Sequence, residues 1–206
     1  MSKPLGFPTY ATKDYEPGDL LVFAGREYKS RIIALTTCTW AQLFRRQFIS
    51  HIGIVSTHRD NPKHFESTTW TVQKCDIQDE YVNGVQANDP ELRVAMYPGC
   101  VWRLRIFERY ELEREAIKRL EGFCHQYLGT SYDYTQAMLS ATKWIKKVSW
   151  FRADRSEMFC DEFVAFALMD CKVIPHGAFI PSAVTPGWLV WWLVAHGIYQ
   201  PLERLK

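Results

Sequence analysis

Three residues of this sequence have types and placements that could do nucleophilic chemistry together. Cys160 opens the stretch FCDEFVAFALMDC, residues 159–171. Phe163, Val164, Ala167 and Leu168 recur at helical spacing, so the thiol falls in the first turn of an apolar helix. Free backbone N–H groups and the positive end of the helix dipole favour thiolate there. The same N–H groups can hold a developing oxyanion. Asp161 and Glu162 suit the dipole but oppose thiolate if they face the sulfur. A buried structural cysteine is the competing reading. His51 opens the run SHIGIV, where a β-branched strand starts on a titratable ring. It is either a base on rigid scaffold or a cap at the strand's surface end. Glu66, in HFEST, lies on the strand returning from His51 and can meet it as a sheet neighbour, or simply face solvent. Together such residues cut acyl bonds: the ring takes the thiol proton, the sulfur attacks, and the ring protonates the leaving group.

The elements that must position these residues follow from pattern and punctuation. Pro17-Gly18 turn into a strand at Leu20–Phe23. Ser50–Thr57 and His64–Val72 form a hairpin around Arg59-Asp60-Asn61-Pro62, with a loop longer than the tightest type. Residues 75–98 carry turn formers and read as a loop with at most one short strand. Val101–Phe107 alternates Val101, Leu104 and Ile106 against Arg103 and Arg105. The period then changes. Tyr110–Leu128 is an amphipathic helix ended by Gly129, and Tyr134–Val148 repeats the pattern. A third helix runs from Phe159 or Cys160 to Asp170, and a fourth follows Pro186. A short helix around Trp40–Phe48 is accompanied by Arg26, Lys29, Arg31, Arg45 and Arg46, either a solvated face or a dock for a substrate carboxylate. Strands early and helices late predict an α+β domain, a mostly antiparallel sheet with helices packed beside it.

The 206 residues suit an irregular leader over 1–16 and a single domain over 17–206. A net charge of +2, with no long basic run, excludes nucleic acid as the main partner. The six cysteines form no CxxC pair and no zinc spacing, so no metal site and no cofactor is expected. The first residues lack a secretion signal, so the expected location is cytoplasmic with reduced thiols, delivery to an envelope or virion by another route staying open. The run WLVWWLVA at 188–195 is too short to span a bilayer. It reads as a buried helix, or as a patch through which Trp188, Trp191 and Trp192 touch lipid or a partner.

The order GDLLVF, SHIGIV, FEST, YDY, FCDEFV, TPGWL resembles the circularly permuted branch of the NlpC-type papain-like cysteine hydrolases, the YiiX-like group. The matching positions are Gly18-Asp19, Ser50-His51-Ile52-Gly53, Glu66, Gly129 through Asp133, Cys160, and Thr185-Pro186, covering about residues 17–190. In the ordinary branch the cysteine helix precedes the Gly-Asp and His strands; in the permuted branch it follows them, as here. The resemblance implies a permuted papain-like fold, a Cys160–His51–Glu66 triad and an acyl-enzyme. It places Asp19, Tyr132, Asp133 and Tyr134 among the substrate contacts, although Asp133 also suits a helix cap. The implied activity is cleavage of amide bonds in a peptide or a peptidoglycan stem peptide. Two alternatives stay open: a lipid-directed acyl hydrolase or acyltransferase with the same triad, and a catalytically silent binding or virion protein, bacterial or from a bacteriophage, on the same scaffold. Two features depart from the family pattern. Asp161 stands where the family often has Ser, and the stretch from Thr71 to Pro98 offers no family landmark.

Overall fold

A computed structural model describes residues 15–25, 49–69, 72–110, 112–131 and 158–206. The expected helices at 40–48 and 134–148, the basic group at 26–46, most of the leader, and Tyr132, Asp133 and Tyr134 lie outside the described residues.

The architecture is α+β. Among the described residues six strands form one antiparallel sheet in the order β4-β3-β2-β1-β5-β6. They are β1 (Leu20–Ala24), β2 (His51–His58), β3 (Asn61–Thr68), β4 (Gly84–Asn88), β5 (Cys100–Leu104) and β6 (Glu203–Arg204). The described helices are α1 (Pro90–Met96), α2 (Arg114–Gln126), α3 (Cys160–Asp170) and α4 (Pro186–Ala195), with 3-10 turns at Glu108–Tyr110 and Pro181–Ala183.

Alternation along the strands divides the sheet into two faces. Leu20, Val22, Ile52, Ile54, Phe65, Val85, Ala87 and Leu104 join the larger core with Leu120, Phe123, Phe163, Val164, Leu168, Leu189 and Leu193 of α2, α3 and α4. Leu21, Phe23, Val55 and Val101 form a smaller core with Tyr15 and Tyr97. Both faces are covered, which is why β1 reads as a continuous apolar run. The register puts His51, Gly53, His64, Glu66, Gln86 and Asn88 on the smaller-core face. That face therefore carries most of the sheet's buried polar groups.

Several expectations need correction. The β2–β3 hairpin closes through a two-residue turn, the tightest type. Arg59 and Asp60 adopt φ of 51° and 63°, and Asn61 and Pro62 already pair with His58 and Thr57. Mirror-image turns of this kind match the strand twist, and Asp accepts the left-handed conformation at modest cost. The stretch 75–98 holds both β4 and α1. Its turn residues punctuate short elements, and Asp89 caps α1 by accepting from Leu92 N–H at 2.9 Å. α2 starts at Arg114, four residues later than periodicity suggests, because Glu108–Tyr110 forms a separate 3-10 turn. Arg103 points inward and is only 1% exposed, because Asp19 meets it across β1 and β5.

Candidate active site

Glu66 is the centre of the polar face. It is fully buried on β3, and its Oε2 lies 2.6 Å from His51 Nε2. Arg93 of α1 takes the same carboxylate as a fork, Nε to Oε1 at 2.6 Å and Nη2 to Oε2 at 2.9 Å. Gln86 Nε2 donates to Oε1 from β4 at 3.4 Å. Burial alone would raise the Glu66 carboxyl. The Arg93 charge and the His51 hydrogen bond outweigh it and hold the group well below its usual range. An ionised carboxylate has only acceptors, so His51 Nε2 carries the proton and donates it. In the neutral ring the lone pair would then be on Nδ1.

His51 keeps its side chain 14% exposed at the mouth of this buried network. Phe23 flanks it, with ring centroids 5.4 Å apart. The Phe23 and Tyr97 rings, edge to face with centroids 4.9 Å apart, also pack against the Arg93 guanidinium, at 4.6 and 5.1 Å from the ring centroids. Two planar groups thus fix the fork that fixes the carboxylate.

Cys160 is the first residue of α3, as expected, after an extended Phe159 that caps without a side-chain bond. The chain before it is anchored: Ser67 Oγ donates to Met158 O at 2.5 Å, and Met158 N–H donates to Ser131 O at 3.0 Å. The β2–β3 ladder runs from the turn to the Ile54–Phe65 pair and stops there. Beyond that pair the Ile52 N–H serves the Cys160 sulfur, together with the Asp161 N–H. The thiol therefore lies against the backbone of the residue next to His51, where β2 and β3 separate.

Burial changes what the helix terminus does. Cys160 is 5% exposed. Desolvation pushes its thiol well above the ordinary value, and the Asp161 carboxylate adds to this; the two N–H groups oppose. The helix start favours thiolate, but a buried sulfur beside two carboxylates stays protonated at rest.

Asp19 lies inside the sheet, among buried residues. It is 1% exposed, accepts from Arg103 Nε at 2.9 Å and from Nη2, and accepts the Glu16 N–H at 2.9 Å. This residue, expected among the substrate contacts, stands in a buried ion pair, formed because β1 and β5 bring opposite charges together inside the sheet. Trp188 and Trp192 are half-buried around Phe179, at centroid distances of 5.2 and 5.1 Å, while Trp191 is 47% exposed. No helix among the described residues is long and apolar enough to cross a membrane. Sequence reasoning misses Arg93 and Gln86, because turn formers make α1 and β4 resemble a loop. The signal that finds Arg93 is the capped start Asp89-Pro90, which puts an arginine one turn into a helix.

No family model matches the chain, and no curated protein matches it. Among solved structures it is similar to the crystal structure of metalloprotein yiiX from Escherichia coli O157:H7. The TM-score is 0.55 and the identity 16%, over 93% of this chain and 97% of that one. At that identity the likeness is one of fold, and it extends over nearly the whole of both chains.

Proposed function

We propose that the protein is a thiol hydrolase that cleaves amide bonds, with a peptide or a peptidoglycan stem peptide as substrate class. Cys160 is the nucleophile, His51 the base and Glu66 its orienting partner, on a permuted papain-like scaffold. The observation that carries the reading is the buried His51–Glu66 pair at 2.6 Å, formed where the Ile52 backbone meets the Cys160 sulfur. In this reading His51 Nδ1 removes the thiol proton as the sulfur attacks the carbonyl, then returns it to the leaving amine. Water displaces the acyl group from sulfur in a second step with the same base. The Asp161 N–H, beside the sulfur at the start of α3, is a donor for the oxyanion. A resting thiol rather than a thiolate makes proton removal part of the attack.

The yiiX neighbour is called a metalloprotein. Among the described residues no three His, Cys, Asp or Glu side chains converge to hold a metal ion. No step of this reading uses a metal.

A second reading takes the acyl group from lipid. It is favoured by the exposed Trp191 and Ile180 beside the Trp188–Phe179–Trp192 cluster. Co-sedimentation with liposomes separates it, since the peptide reading expects none.

The deciding experiment is intact-mass spectrometry after exposure to p-nitrophenyl acetate and to a peptide thioester. An acyl adduct on Cys160 that is absent in Cys160→Ala and slowed at least ~100-fold in His51→Ala supports the hydrolase. No adduct at any pH between 6 and 10 leaves a silent binding protein on this fold.

A further inference from the structure

The Arg93 fork has a consequence for the charge state of His51. In the buried network, Glu66 carries one negative charge and Arg93 one positive. Both carboxylate oxygens are taken by the guanidinium, and one also accepts from His51. Glu66 is fully buried and Arg93 is 1% exposed, so neither charge is relieved by water. We propose that Arg93 is a positioning residue for His51. Its charge neutralises Glu66, so the imidazole can orient on the carboxylate and still remain an unprotonated base.

Without Arg93, the buried carboxylate must be compensated by a proton, because an unpaired charge is strongly disfavoured there. Of the two sites for that proton, Glu66 itself and the His51 ring 2.6 Å away, the ring is the more basic. The ring would then be an imidazolium bound to Glu66, with no lone pair for the thiol. The other groups around the ring do not replace Arg93. His64, on β3, is fully buried and its protonation is pushed down to about 3 by burial, so it stays neutral. Gln86 on β4 and the Phe23 ring on β1 carry no charge. From α3, Cys160 is a neutral thiol and Asp161 adds negative charge, which strengthens the demand for a cation. The guanidinium is also the right shape: a fork fixes the carboxylate plane, and so the direction of the ring.

The proposal rests on the hydrolase reading only for its catalytic consequence; the test is made on the ring itself. The probe is the protein labelled with 15N-histidine, its His51 ring nitrogens followed by NMR from pH 4 to 9. In Arg93→Met the His51 transition moves to higher pH by roughly one to three units. In Arg93→Lys, which keeps the charge and loses the fork, it stays within about half a unit of the parent. If Arg93→Met fails to fold, the neutral background serves. Glu66→Gln alone moves the transition to lower pH, because Arg93 is then unbalanced, and adding Arg93→Met moves it back. An unchanged transition in Arg93→Met, an equal shift in Arg93→Lys, or no return in the double variant overturns the proposal. A merely structural arginine would lower stability without moving the ring's titration. If the ring behaves as stated but Cys160 never acylates, the charge assignment stands and the hydrolase reading falls. If Cys160 acylates and the transition does not move, the reverse holds.

Discussion

His64 is fully buried on the polar face, between Phe23 and the backbone of Gly53, and no hydrogen-bond partner among the described residues reaches either ring nitrogen. Burial pushes its protonation down to about 3, with Glu66 opposing and Arg93 and His51 adding to the depression. The unfolded chain protonates this ring near the ordinary 6.5, while the folded chain refuses the proton. Stability is therefore unaffected above that value and falls as pH drops from about 6.5 toward 3. Between pH 7 and pH 5 the loss is about 2 kcal/mol. Urea titrations at the two pH values should show it, and His64→Leu should remove most of the difference. Glu66 acts in a lower window. Its carboxyl is depressed when folded, so its contribution is complete above about 4.5 and is lost only as pH falls below that.

Among the elements, α1 is short but carries Arg93, so its ends matter. Asp89 caps the first turn, and Lys206 Nζ donates to Ala95 O and Tyr97 O, each at 2.7 Å, closing the last. Asp89→Ala should cost about 1 kcal/mol. Lys206→Met should cost about 0.3–1 kcal/mol, shrinking as salt is added. Both are read from chemical denaturation, and on the proposed hydrolase reading both should slow acylation of Cys160 by loosening the arginine fork. β2 has its own constraint at Gly53. A Cβ there would meet His64 Nε2 at 2.3 Å and Phe65 O at 2.7 Å. Gly53→Ala should destabilise by about 1–3 kcal/mol, read from urea unfolding, and on the proposed hydrolase reading should also cost the acyl adduct by moving the neighbouring His51.

At the scale of the molecule, the chain's distant parts are tied through the turn before β1. Asp19 pairs with Arg103 of β5, and Tyr199, after α4, donates its hydroxyl to Gly18 O at 2.7 Å. Asp19→Asn would strand a buried guanidinium, with a cost of about 3–5 kcal/mol in thermal or urea unfolding. Replacing both partners, Asp19→Leu with Arg103→Met, should cost much less, because no charge is left unpaired. The tie joins β1 to the strand that also pairs with β6 near the C-terminus. The substitution should therefore lower one cooperative transition rather than loosen a terminus.

Chemistry written in short windows is legible in the amino-acid sequence alone. Apolar runs mark β1 and β2, Thr185-Pro186 marks the start of α4, and helical spacing after Cys160 marks α3 with the thiol in its first turn. The segregation of strands and helices marks the α+β class. These follow because turn chemistry and hydrophobic period act over a few residues. Burial and partnership are not legible. Arg103 alternates like a surface residue, yet lies inside because Asp19 waits 84 positions away. Asp19 itself sits in a Gly-Asp motif that implies a substrate contact, yet it is spent on that arginine. Arg93 stands in a stretch rich in turn formers, 27 residues from the carboxylate it grips. The resting state of Cys160 turns on the same difference. The helix start announces a thiolate, but only the packing of α3 on β2 and β3 decides that water is excluded and that the sulfur keeps its proton. Sequence determined which groups stand at the ends of which elements. Tertiary structure decided their charges, because desolvation and ion pairing depend on neighbours that chain order does not specify.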